Sequence, residues 1–103
     1  MDKKDAIKIS KSYLQKIHNS GISFSQAWLF GSFATGDHNE NSDIDIAIVL
    51  DDNEKNTFDT EVKLMVIRKG EETIIEPHTF SKEDFKYWSP LVKQITDKGI
   101  KLK

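Results

Sequence analysis

The chain has 103 residues, with 37% hydrophobic and 10% aromatic side chains and a net charge of -2, enough for one small packed core and too little for two. That charge argues against a protein held to nucleic acid by a basic surface, so no direct nucleic-acid binding is expected. There is no cysteine, which removes disulfides and thiolate zinc sites, and no apolar stretch suits a signal peptide or a membrane span; a cytoplasmic single domain over 1–103 is expected.

Residues 4–18 are expected to form an amphipathic helix, because Ala6, Ile9 or Ser10, Tyr13 and Ile17 recur at spacings of three and four with Leu14 beside them. Asn19-Ser20-Gly21 is its stop signal. "SQAWLF", 25–30, is a first strand, with Trp28 in the core. Gly31-Ser32 punctuates it, 32–36 start a short helix, and 37–42, "DHNENS", form a loop. Residues 43–50 are the best strand candidate. Ile44, Ile46, Ile48 and Leu50 fall on one face and Asp43, Asp45, Ala47 and Val49 on the other, so the strand is central and covered on both sides. "DDNEKN" follows as a surface loop, and 57–68 form a helix with Phe58, Val62, Leu64 and Met65 inward, ended by Gly70. A third strand is expected at 73–76, "TIIE", limited by Pro77. Ser81 with Asp84 resembles a helix start. Ser89-Pro90 opens a last helix over 89–98, Gly99 ends it, and "IKLK" is a closing strand or tail.

Two carboxylates open the apolar strand, although Asp is depleted in strands and its charge resists burial. Asp43 and Asp45 point to one face with Cα atoms roughly 6.5 Å apart, and at that spacing they can converge on a shared cation. A hard divalent ion such as Mg2+ prefers oxygen ligands and keeps waters that a phosphate can replace. Gly31 lets the backbone approach a ligand, the amides of the turn make an anion nest, and the Ser32 hydroxyl adds a hydrogen bond to phosphate. One short segment thus offers donors for a polyphosphate and acids for its metal, which is the chemistry of nucleotidyl transfer. The bland alternative is a turn and a strand start carrying solvated acids.

Gly31-Ser32, ten intervening residues, then Asp43-Ile44-Asp45 before an apolar run resembles the signature of the DNA polymerase β-like nucleotidyltransferase superfamily. The absence of a second domain makes it similar to the minimal nucleotidyltransferase (MNT) subgroup. The resemblance is densest over 27–50 and extends loosely to the C-terminus. It implies an α+β fold, a small mixed sheet with flanking helices in the order helix-strand-strand-helix-strand-helix. It also implies ATP as co-substrate, Mg2+ as cofactor, Gly31, Ser32, Asp43 and Asp45 at the nucleotide, and Asp43 and Asp45 as metal ligands. Glu76 matches the third carboxylate, which binds metal or acts as base toward the acceptor hydroxyl. Where many minimal members carry Arg before the second glycine of the turn, Thr35 precedes Gly36 here, and a phosphate contact is missing.

The same resemblance implies a partner. Minimal members pair with HEPN-domain proteins in type VII-like toxin–antitoxin systems, where the transferase is the antitoxin and places AMP on a tyrosine of the HEPN toxin. Two alternatives stand beside it. One is a non-catalytic binding antitoxin or nucleotide-binding module. The other is a small-molecule nucleotidyltransferase, for which a homo-oligomer could build the acceptor pocket. Outside the signature, His18 and His38 are expected at the surface and His78 as structural or surface. Trp88 packs against the last helices or stacks on a base. Lys63 and Arg68 form a solvated helix face or contact phosphate or a partner. Asp51, Asp52, Glu54, Glu71 and Glu72 are expected as solvated loop charges.

Overall fold

The structure, a computed structural model, describes residues 1–54, 58–86 and 89–103. Helix α1 (Lys3–Asn19) starts at an Asp2 cap that accepts from the Asp5 amide, and it buries Ala6, Ile9, Ser10, Tyr13, Leu14 and Ile17. The apolar stripe anticipated from spacing is therefore its core face. Ser10 joins that stripe without cost because its hydroxyl donates to the Ala6 carbonyl at 2.6 Å. Strand β1 (Phe24–Phe30) leads into the single-turn helix α2 (Ser32–Thr35), and strand β2 (Ile44–Leu50) follows. Helix α3 (Phe58–Val66), a 3-10 turn (Gly70–Ile74) and strand β3 (Ile75–Ser81) come next, then helix α4 (Pro90–Lys98) and the short strand β4 (Ile100–Lys101). The four strands lie in the order β3-β2-β1-β4, with β1 antiparallel to β2 and β4, and β2 parallel to β3. This is the mixed sheet with flanking helices expected from the sequence.

Ala27, Leu29, Ile44, Ile46, Ile48, Leu50 and Ile75 share one core with the apolar stripe of α1 and with Phe33 and Ala34 of α2. Alternation along the strands sends Trp28, Phe30, Asp45, Ala47, Glu76 and His78 to the opposite face. Helix α4 lies against β1, with Val92 and Ile95 buried. The chain turns from α4 into β4 at Gly99, where a Cβ would stand 2.3 Å from the Ile95 carbonyl oxygen and 2.9 Å from that of Leu29; only a residue without one fits between helix and strand.

Several expectations are corrected. Strand β3 runs through Pro77 to Ser81 rather than stopping at 76, and Thr73 and Ile74 belong to the 3-10 turn. Proline is tolerated because β3 is an edge strand, where the missing N–H need not face a neighbour. Helix α3 ends at Val66, four residues before Gly70, and buries Leu64 alone, leaving Phe58, Val62, Met65 and Val66 exposed. The Ser81 hydroxyl does accept from the Asp84 amide at 3.0 Å, but the segment makes only a turn. Trp28 is half-buried on the open face, donating to Gln26 Oε1 at 3.0 Å. Asp51 and Glu54 are not idle loop charges: Asp51 accepts from the Ser23 hydroxyl, and Glu54 from the Ser23 amide at 3.0 Å. Trp88, together with the part of the 51–56 loop at Lys55 and Asn56 and the helix start at Thr57, lies outside the described residues.

Glu72, expected as a solvated charge, is buried. Its carboxylate pairs with Lys16 Nζ of α1 at 2.7 Å and accepts from the Lys69 amide at 3.0 Å and the Ser12 hydroxyl at 3.4 Å. Burial by itself would raise this carboxyl; the bonds from Lys16, Lys69 and Ser12 outweigh it and hold its pKa below the ordinary value of 4.5.

Candidate active site

The register of the sheet builds the site. A bulge between Phe24 and Gln26 moves the β1–β2 pairing by one residue, so Phe30 stands opposite Asp45. On the other side of β2, Asp45 pairs with Glu76 and Ala47 with His78. Phe30, Asp45 and Glu76 thus lie abreast on one face, and His78 follows two residues further along β3.

Gly31 closes this arrangement. It caps α2 with φ +79° and ψ -153°, and a Cβ there would lie 2.5 Å from Asp45 Oδ2. The glycine is required twice over, by a backbone conformation that side chains disfavour and by the carboxylate packed against it. The amides of Ala34 and Thr35 return to the Gly31 carbonyl at 3.1 and 3.2 Å, and that of Gly36 to Ser32 at 2.9 Å. The Ser32 and Phe33 amides open the turn, where N–H groups have no intrahelical acceptor. A cleft of about 340 Å³ runs from Phe30, Gly31, Ser32 and Thr35 to Gln94 and Lys98 of α4. Lys98 places a cation across from the turn, and neither it nor Gln94 carried a signal in the sequence.

Asp45, Glu76 and His78 converge: one ligand atom from each lies within 4.8 Å of the others. Asp43 is not a member of this close group; it stands exposed just before β2, on the Asp45 side by alternation. His78, expected as structural or surface, is the residue that sequence reasoning missed. Its Nε2 is 3.1 Å from Asp45 Oδ1, and its ring meets Phe30 edge-on at 5.0 Å and 64°. The Asp45 bond raises the His78 pKa above its usual 6.5; burial opposes this, and the charges of Asp45 and Glu76 add to it. The signal was available, since two-residue alternation from Glu76 reaches His78 once the strand continues past Pro77.

The other candidates separate. Arg68 is structural: its guanidinium donates to the carbonyls of Met65, Thr73 and Ile75 at 2.9, 3.1 and 2.8 Å, tying the end of α3 to the start of β3. Lys63 is exposed on α3. His38 stacks on Phe33 at 4.3 Å, half-buried rather than at the surface, and His18 is exposed. Two carboxylates and an imidazole within reach of one another are a donor set that suits a divalent cation. Among the described residues no helix is long and apolar enough to cross a membrane.

A family model described as "Nucleotidyltransferase domain" matches residues 8–102. A crystal structure from Sulfolobus solfataricus, of a protein provisionally named a nucleotidyltransferase, is similar with a TM-score of 0.64 at 24% identity, covering 79% of this chain and 71% of that one. At that identity the likeness concerns the fold. No curated protein matches the chain.

Proposed function

The chain belongs to the nucleotidyltransferase domain family, and we propose that it moves AMP from ATP onto a tyrosine hydroxyl of a partner protein, a HEPN-domain toxin, acting as the antitoxin of a type VII-like pair. The observation that supports nucleotidyl transfer is the juxtaposition of Gly31 with Asp45, and of Asp45 with Glu76, on one open face of the sheet; AMP, the tyrosine acceptor and the HEPN partner rest on the sequence resemblance. In this reading the Ser32 and Phe33 amides and the Ser32 hydroxyl bind triphosphate oxygens, and Lys98 adds a counter-charge from the far wall of the cleft. Asp45 and Glu76, with Asp43 at the mouth of the strand, would hold the divalent ion. When bound it would supply charge stabilisation to the phosphate oxygens. Glu76, exposed at the edge of the sheet, takes the proton of the tyrosine hydroxyl. The phenolic oxygen then bonds to the α-phosphorus, the bond from that phosphorus to the bridging oxygen breaks, and pyrophosphate leaves with the electron pair.

A protein acceptor is favoured by what flanks the site. A cleft of about 330 Å³ joins His78 and Pro77 of β3 to Glu61 and Met65 of α3, and α3 continues outward as the exposed apolar side chains of Phe58, Val62 and Val66. An acceptor that brings its own apolar surface would cover them.

The test uses ATP labelled at the α-phosphate, a divalent cation and lysate of the native host, with Asp45→Asn as control. The expected result is label on one protein band that the variant does not produce. Label on a low-mass acceptor would replace the protein reading with a small-molecule transferase. A partner captured equally by both forms, with no label anywhere, would replace it with a binding module.

A further inference from the structure

We infer that His78 is itself a metal ligand, and that Asp45, Glu76 and His78 form a mixed nitrogen–oxygen site that favours a first-row transition dication over Mg2+. This rests on the metal-dependent reading of the site given above and specifies its ion.

The argument begins with geometry. Donors bound to one octahedral ion at about 2.1 Å lie about 3 Å apart on adjacent vertices and about 4.2 Å apart on opposite ones. The Asp45, Glu76 and His78 ligand atoms lie within 4.8 Å of one another, and His78 Nε2 is 3.1 Å from Asp45 Oδ1, the separation of adjacent donors. His78 and Asp45 already stand at that separation, and a shift of about 0.6 Å at most brings the widest pair, within 4.8 Å, inside the limit of about 4.2 Å. The ring is also held in place, since Phe30 packs edge-on against it at 5.0 Å and the small Ala47 beside it on β2 leaves it room. Chemistry selects the ion. Carboxylates and water alone suit Mg2+, whereas an imidazole donor adds affinity for transition metals and little for magnesium. The alternative role for His78 is to orient Asp45 by a hydrogen bond without touching the ion, a known outer-shell arrangement.

Mn2+ separates these roles because it is paramagnetic and substitutes for magnesium in oxygen-rich sites. The probe is Mn2+ added to the purified chain without nucleotide, so that no adenine nitrogen is present, and read by electron spin-echo envelope modulation. The expected result is nitrogen modulation in the wild type that disappears in His78→Ala and in His78→Asn. Mn2+ affinity should fall in both variants and Mg2+ affinity by much less; since loss of an outer-shell partner in His78→Ala would also cost roughly 10-fold or more, the nitrogen modulation and the His78→Asn variant decide between the roles. Bound Mn2+ without nitrogen modulation, modulation that persists in His78→Ala, or no Mn2+ binding would each overturn the assignment. His78→Asn keeps a donor toward Asp45, so unchanged Mn2+ binding in that variant would assign His78 the orienting role instead. Nitrogen modulation in a chain that labels no acceptor would keep the ligand and remove the reaction; AMP transfer with Mg2+ and no modulation would do the reverse.

Discussion

At the scale of single residues, the site depends on an atom that is missing. Gly31 has no Cβ, and Asp45 Oδ2 occupies the space one would fill, 2.5 Å away. Gly31→Ala must therefore either push the carboxylate aside or shift the turn, in addition to straining a residue at φ +79°. The stability cost is about 1–3 kcal/mol. The expected cost to nucleotidyl transfer is comparable, because a displacement of about 1 Å at the reacting centre lowers rates by on the order of 100-fold, or about 2.7 kcal/mol. Urea unfolding and AMP-transfer rates on the same preparation check this: a folded Gly31→Ala protein with wild-type transfer would show that the contact is incidental. The meeting of the Gly31 turn with Asp45 is legible in the residue types and their spacing, whereas Asp43, exposed before β2, does not join the close group. His78 is not legible, since a proline after Glu76 reads as the end of a strand; an edge position removes that objection.

Elements fix where those residues meet, and the connection between β2 and β3 carries the largest share of that task. It passes through α3 and the 3-10 turn before placing Glu76 beside Asp45. Two clamps hold it: Arg68 on the carbonyls of Met65, Thr73 and Ile75, and the buried Glu72 on Lys16 of α1. The Glu72 clamp has a pH signature. Its folded pKa lies below the ordinary 4.5, so its contribution is complete above that value. As pH falls the unfolded chain takes up the proton first, and the contribution is gone once pH passes below the folded pKa. Glu72→Gln should lose about 1–3 kcal/mol at neutral pH, with the gap to wild type closing in acid. Denaturant titrations at neutral pH and well below pH 4.5 would show it, and a constant gap would mean that the ion pair contributes nothing. Helix α1, both central strands and the Ser89-Pro90 start of α4 were legible because periodicity and capping are local. The bulge at Ser25 and the role of Glu72 were not, because each is defined by a partner distant in sequence.

For the whole molecule, one face of the sheet is closed by α1 and the other is left partly open around the site. The exposure of α3 follows from this. Its apolar residues at 58, 62 and 65 have the helical spacing of a core face, yet only Leu64 of the helix is buried. Periodicity identifies an apolar face without saying whether the same chain covers it. If a protein acceptor covers it, Val62→Asp and Met65→Asp should leave the core intact, since both side chains are exposed in the isolated domain. Transfer to the protein acceptor should fall at least roughly 10-fold, as loss of an apolar anchor at an interface costs more than about 1.4 kcal/mol. ATP affinity should hold, because the Gly31–Lys98 cleft shares no lining residue with the Met65–His78 cleft. Calorimetric titration with a non-hydrolysable ATP analogue, run beside the labelled-transfer assay, separates the two effects. Parallel loss of both would trace the exposed helix to the stability of the domain, and loss of neither would move the acceptor to another face.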